Sequence, residues 1–350
     1  MTRPIRSRSL RRTLLSGGTV LGLAGLLAAC TPASGDDAAE GEGGDGLTGS
    51  ITVYTSEPQE KLDELIADFN EVEPDIEVNA FRAGTGDLTA RLESEQTSGG
   101  IQADVLLAAD APTFEGYKAD GLLAQYEPAG SDAIGEHLRD PEGYYTGTRI
   151  IPTVIAYNTG EIDTPPASWQ DLTDPALQGQ ITLPNPAVSG AAAFNAAVWY
   201  LDDRLGEEWF EALGANEPVI AESNGPVSQA VASGQQPIGI VVDYLVRDLR
   251  DAGSPIEVSY PSEGVPYVYQ PVGIFESSEN QEAAQAFVDY LVGERGQALA
   301  AEQNYLPVRE DAPTPEGAPA LSELSLLSPD LDEVTAVRED ALDVFTNTIG

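Results

Sequence analysis

The sequence predicts an α/β protein of two lobes, and three observations carry that prediction. Residues 50–110 alternate strand, helix, strand, helix, strand without interruption, the pattern of a parallel sheet covered by helices. About 320 residues remain once an apolar leader over residues 1–29 is set aside, a length that favours two lobes over one. Residues 149–158, Arg-Ile-Ile-Pro-Thr-Val-Ile-Ala-Tyr-Asn, form a strongly apolar strand signal with a single proline interruption.

Within the opening run, Ile51, Val53, Thr52 and Thr55 mark a short buried strand. Ser56 is expected to cap the following helix, with Gln59 at the capping-box position. Leu62, Leu65, Ile66, Phe69 and Val72 then recur at helical spacing and give that helix one apolar face. Glu73-Pro74-Asp75 breaks it, and residues 76–81 alternate as a second strand. Gly84-Thr85-Gly86 turns into a shorter helix with Leu88 and Leu92, and residues 103–109 form a third buried strand that stops at Asp110. In a parallel sheet the polar residues closing these strands, Ser56, Thr85, Gly86 and Asp110, share one edge, where ligands of open α/β sheets bind.

Residues 1–29 hold five arginines, no acid and an apolar stretch from Leu14 to Ala29, the composition of a secretion signal. Leu27-Ala28-Ala29-Cys30 resembles a lipobox, which implies cleavage before Cys30 and lipidation of its thiol. Ser9-Leu10-Arg11-Arg12 also looks like a twin-arginine signal, so the export route stays open. Cys30 is the only cysteine, so the exported protein has no disulfide. Residues 30–49 read as a flexible tether, rich in Gly, Ala, Asp and Glu. Against 17 basic side chains stand 58 acidic ones, a net charge of −41, and loss of the five leader arginines makes it −46. That balance argues against nucleic acid or an anionic lipid surface as a partner.

Beyond Asp110, residues 112–120 predict a helix, and residues 129–146 a loop containing His137, the only histidine, with no metal-ligand spacing around it. Gln180-Ile-Thr-Leu-Pro184 reads as a strand, after which Ser189-Gly190 opens an Ala-rich helix over residues 191–201. Such an opening leaves backbone N–H groups unpaired and open to a close ligand, and the helix dipole adds to their pull on an anion. A plain Ser N-cap would account for the same residues. Ser223-Asn224-Gly225-Pro226 is a turn into another helix, and residues 236–244 a buried strand with Asp243 and Tyr244 at its polar end. Strands over residues 256–261, 267–269 and 272–275, an amphipathic helix over 280–292 and a last helix carrying Val334, Val337, Leu342 and Phe345 complete the chain.

In this order the motifs resemble those of bacterial extracellular solute-binding proteins, in the ferric-iron and phosphonate branch that serves ABC importers. The residues that carry the likeness are Val53-Tyr54-Thr55-Ser56, Ala103-Asp104-Val105-Leu106, Tyr157-Asn158, Pro166-Ala-Ser-Trp-Gln-Asp-Leu172, and Gly296 with Pro307-Val308-Arg309. The resemblance implies a type II periplasmic-binding-protein-like fold with mixed, mostly parallel sheets and crossover strands as a hinge. It places the first lobe at 50–150, the second at 151–257, and a return segment with the C-terminal helices at 258–350 in the first lobe. It implies a monomeric, lipid-anchored protein on the outer face of the cell membrane that delivers a small ligand to ABC permease subunits.

No catalytic constellation accompanies the motifs: one histidine and one cysteine supply no triad, and neither a P-loop nor a dinucleotide fingerprint is present. A secreted hydrolase on a similar scaffold is the alternative of another class. Iron-binding relatives use adjacent tyrosines with a His or Glu from the first lobe. Here the matching segment offers Tyr244 as the one candidate metal ligand, with Glu57 near Ser56, and Tyr267 and Tyr269 near the return crossover. A small organic anion, a phosphonate or a phosphorylated compound, is the ligand expected first, with ferric iron or an iron–anion complex as the alternative. Donors for it are Ser56, Thr85, Gly86, Ser189, Gly190 and Tyr244, and Asp110 closes the strand edge. Arg82, Arg149 and Arg247 are the candidate cations, Arg149 preferred for its place before the crossover. No cofactor is expected.

Overall fold

The computed structural model describes residues 46–350. The expected signal segment, Cys30 and the tether up to residue 45 lie outside the described residues. From Gly49 the chain runs β1 (Gly49–Thr55), α1 (Gln59–Val72), β2 (Ile76–Arg82), α2 (Thr85–Ser98), β3 (Val105–Leu107), α3 (Ala111–Ala119) and β4 (Thr146–Gly147). It then crosses through β5 (Arg149–Asn158) to β6 (Ile181–Pro184), α4 (Gly190–Leu201), α5 (Gly206–Gly214), β7 (Val219–Ala221), α6 (Asn224–Ala232), β8 (Ile238–Val242), α7 (Asp243–Asp251), β9 (Ile256–Ser259) and β10 (Val265–Val268). The return is β11 (Pro271–Ile274), α8 (Gln281–Val292), α9 (Glu294–Glu302) and β12 (Leu306–Pro307), followed by β13 (Leu326–Leu327) and α10 (Leu331–Thr348).

Two sheets result, one per lobe. In the first, the order is β2-β1-β3-β11-β4, with β1 parallel to both β2 and β3 and with β11 antiparallel to its two neighbours, β3 and β4. The three parallel strands therefore end on one edge, as their alternation with helices requires. α1 buries Leu62, Leu65 and Phe69 against this sheet. In the second, β5 is the spine: residues 149–150 pair with β12, 151–152 with β10, and from Thr153 onward with β8, while β9 flanks its far end. Pro152 falls where the strand passes from one partner to the next, a place where a missing N–H costs the ladder least. All three tryptophans pack in the second lobe: Trp169 and Trp199 rings are 5.0 Å apart and Trp199 and Trp209 rings 5.3 Å. This explains the Pro-x-Ser-Trp-x-Asp-Leu segment, where Asp171 accepts from the N–H groups of Ala167 and Ser168 and Trp169 is driven into the core.

Two strand crossings join the lobes at the hinge, and the chain crosses a third time between β12 and β13 on its way to α10. Thr148, between β4 and β5, donates its N–H to the carbonyls of Tyr269 and Gln270, between β10 and β11, and its hydroxyl to Gln270. Gln270 takes a φ of 33°, the left-handed region that non-glycine residues rarely enter. Three expectations need correction here. Ser56 does not cap α1, whose N-cap is Pro58 without a side-chain bond; the Ser56 hydroxyl accepts from the Ala109 N–H instead. β9 and β10 stay in the second sheet, so only β11 returns. Finally, α10 does not join the first lobe: Val334, Ala341 and Phe345 are buried in the second lobe's core against α4 and α5, because that helix's apolar stripe finds its matching surface there.

Candidate functional site

A cavity of about 330 Å³ lies between the lobes, and its wall is made of helix beginnings. Ser56, Glu57 and Pro58 precede α1, Gly84 and Thr85 open α2, and Ser189, Gly190 and Ala191 open α4. Residues 223–226 open α6, and Val242, Tyr244 and Leu245 open α7. The sheet topology makes this convergence: each parallel strand ends at the cleft and the helix that follows must start there. α4 is capped, its Ser189 hydroxyl accepting from the Ala192 N–H at 3.2 Å. α1, α2, α6 and α7 have no side-chain cap. Apart from the Gly86 N–H of α2, which the Val188 carbonyl takes, their first N–H groups, which no helix can satisfy internally, are left to water or to a ligand. Asn224 donates to the Ser189 hydroxyl and accepts from the Val242 N–H, fixing three helix starts to one another.

The floor of the cavity is a hydrogen-bond network centred on Glu57. Glu57 is buried, and its carboxylate accepts from Arg149 at 2.8 Å, from the Tyr305 hydroxyl at 3.1 Å and from the Gln270 amide. The Arg149 guanidinium lies 4.7 Å from the Tyr305 ring, and the Tyr305 and Tyr244 rings are 4.3 Å apart. Burial pushes the Tyr244 phenol well up, and the Glu57 charge pushes it further. Tyr305 is raised by the same two causes in the same order. Both phenols are therefore neutral in the metal-free protein. Among the described residues no group of three or more His, Cys, Asp or Glu side chains converges as a metal site.

Of the residues expected at the site, Ser56, Thr85, Ser189, Gly190 and Tyr244 line the cavity and four do not serve it as expected. Arg149 is withdrawn into the Glu57 pair, and Arg247 into a buried pair with Asp243 at 2.6 Å. Asp110 is fully buried and bonded to Arg338 of α10 and to the Thr113 hydroxyl. Burial pushes its carboxyl up and the Arg338 guanidinium pulls it back. Gly86 donates its N–H to the Val188 carbonyl across the cleft at 3.3 Å, and a Cβ there would stand 2.0 Å from the Ala187 oxygen. Gly190 is likewise a place of close approach, but by protein: a Cβ would stand 1.8 Å from the Ala109 oxygen and 2.7 Å from the Thr85 hydroxyl. Tyr267 and Tyr269 lie outside the cavity wall, packed beside the hinge.

The cation at the site is Arg82. Of the twelve basic side chains in the described residues, eleven form ion pairs. Arg82 alone has no carboxylate partner; its Nε donates to the Glu57 carbonyl at 3.0 Å, and the exposed residue lines the cavity. Sequence reasoning ranked Arg149 above it, because pairing with residues far along the chain leaves no local mark. Asn224 was read only as a turn residue. Its signal was present: like Ser189-Gly190, it opens a helix directly after a strand.

Comparison with known proteins agrees with this architecture. Iron uptake protein A1 of Synechocystis is 26% identical over 320 residues, spanning 83% of this chain and 86% of that protein. A Salmonella paratyphi A protein named for periplasmic 2-aminoethylphosphonate binding is 25% identical over 252 residues, 67% of this chain and 71% of its own. The solved structure of the periplasmic binding protein AfuA from Actinobacillus pleuropneumoniae, with exogenous fructose-6-phosphate bound, matches with a TM-score of 0.78. It is 24% identical and covers 86% of this chain and 98% of that one, a likeness of fold. The profile described as bacterial extracellular solute-binding protein matches residues 101–334, about two thirds of the sequence, and the chain belongs to that family.

Proposed function

We propose that this protein captures a small oxyanion, a phosphonate or phosphorylated compound, between its lobes and hands it to the permease of an ABC importer. The observation that carries the reading is Arg82, the one cation among the described residues without a carboxylate partner, at a cavity walled by helix N-termini of which most have no side-chain cap. Backbone N–H groups and helix dipoles supply the anion's hydrogen bonds, and Arg82 supplies its counter-charge. The volume of about 330 Å³ stands at the low end of small-molecule sites, which favours a compact ligand. The only carboxylate in the wall, Glu57, is neutralised by Arg149 and does not repel an anion.

Binding rather than turnover is the role this supports, since the wall holds no nucleophile–base pair. Export, lipidation of Cys30 and a place on the extracellular face of the cell membrane belong to the same reading. Ferric iron is the second ligand, favoured by one observation: Glu57, Tyr305 and Tyr244 meet on the floor. Titration calorimetry against 2-aminoethylphosphonate, phosphomonoesters and ferric citrate separates the two. Micromolar or tighter binding of a phosphonate or phosphomonoester by colourless protein is expected. Protein that purifies coloured, with a tyrosinate-to-iron band lost in Tyr244→Phe, would overturn the order.

A further inference from the structure

We infer that Arg338 on α10 is a positioning residue for ligand capture: it grips Asp110 of the first lobe and holds the cleft closed from outside the cavity. The inference rests on the reading that the lobes close around the ligand. α10 is built into the second lobe along its length. Phe345 packs 6.4 Å from Phe210, and the Thr348 carbonyl lies so near Gly214 that a Cβ there would be 2.2 Å away. At Arg338 the same helix reaches over to α3 of the other lobe, where the guanidinium meets both oxygens of the Asp110 carboxylate.

Asp110 is a poor residue to leave unmatched. It is fully buried, its only other side-chain partner is Thr113, and its backbone sits at a φ of 155°. Opening the lobes takes Arg338 away and gives up its charge-assisted contact with both carboxylate oxygens, so the pair favours closure. Its position also couples it to the ligand. The residue before it, Ala109, lines the cavity, receives Gly190 of the second lobe against its carbonyl and donates its N–H to Ser56. A grip on Asp110 therefore fixes the wall that Ser56 and Gly190 share. No ligand need touch Arg338 for this to work.

The test reads closure without a ligand, so that its failure is distinct from a wrong ligand class. The Gly86 amide has its hydrogen-bond partner, Val188, across the cleft, and its hydrogen exchange reports the closed arrangement. In the mature protein, Arg338→Gln is expected to speed exchange in a peptide over residues 83–92 by about tenfold or more, with α8 unchanged. Arg338→Lys should restore part of the protection, and Asp110→Asn should match Arg338→Gln. With 2-aminoethylphosphonate or a phosphomonoester as probe, Arg338→Gln should raise the dissociation rate and leave the association rate alone. If instead exchange rises within α10 and the melting temperature falls while Gly86 stays protected, the pair only fastens the helix and the inference fails.

Discussion

On the floor of the cleft, Glu57 meets Arg149, Gln270 and Tyr305, so that its carboxylate is fully engaged before a ligand arrives. On the walls around Arg82, five helices begin and four have no side-chain cap. Both regions are polar and both join the lobes, yet the floor's carboxylate is already engaged, with Arg149 Nε and Gln270 Oε1 as its atoms without a partner among the described residues, while the walls have donors to spare. Hydrogen bonds that are already made contribute to folding and hinge geometry; only those still open can contribute to affinity. The contrast also explains why the chain's sequence likeness to an iron uptake protein need not extend to its ligand. The floor holds the tyrosines and the carboxylate, but Arg149 already occupies the carboxylate.

The hardest blow to this contrast would come from the floor. Arg149→Ala removes the partner of a buried carboxylate, a change that costs about 3–5 kcal/mol where such pairs have been broken. Chemical denaturation should show a loss of that order, and Glu57→Gln with Arg149→Met together should recover much of it. An Arg149→Ala protein of normal stability that has lost its ligand would make the floor part of the site.

Arg82 is the opposite case. Arg82→Gln should leave the melting temperature within a degree or two, because the side chain is exposed and in no ion pair. It should weaken binding of the oxyanion by roughly ten- to hundredfold, from one charge-assisted contact of about 1.5–3 kcal/mol, nearer the lower figure given its exposure. Unchanged affinity would move the anion away from Arg82. A smaller effect is expected from Gly190→Ala, whose Cβ would meet the Ala109 oxygen at 1.8 Å. The lobes must then part slightly, and affinity should fall by about tenfold for every ligand alike, since the closed state is less populated. A loss confined to phosphorylated ligands would mean that the ligand, not Ala109, fills that space.

Much of this was legible in the residues. β5 occupies the ten positions its apolar run predicts, and the βαβαβ opening gives the parallel sheet with its polar edge at the cleft. What failed did so for a tertiary reason. Ser56 is a good capping residue by type, but the Ala109 N–H, 53 residues away in sequence, takes its oxygen. The last helix is amphipathic, and nothing in its own period says which lobe offers the surface it fits. Arg82 and Arg149 are equivalent as letters, and only the fold brings Glu57 to one and no carboxylate to the other, whereas Asp243 and Arg247 stand four residues apart on one helix, a pairing that spacing could have shown.

The finest distinction concerns Ser189, which belongs to both regions at once. Its hydroxyl is used, accepting from the Ala192 N–H at 3.2 Å and from the Asn224 amide at 3.0 Å, yet the residue lines the open cavity. If it behaves as floor, Ser189→Ala costs about 1 kcal/mol of stability through the lost cap and leaves affinity unchanged. If it behaves as wall, affinity falls as well, because its hydroxyl proton, free of any protein acceptor among the described residues, can be donated to the anion. The second outcome is expected, with a loss of about threefold to tenfold, the range of one neutral hydrogen bond. Asn224→Ala provides the control, since it removes the amide that aims the Ser189 oxygen without removing the hydroxyl. Calorimetry on both variants below their melting temperatures decides the matter: equal losses mean that Asn224 and Ser189 act as one donor unit, and wild-type affinity in Ser189→Ala returns the residue to the floor.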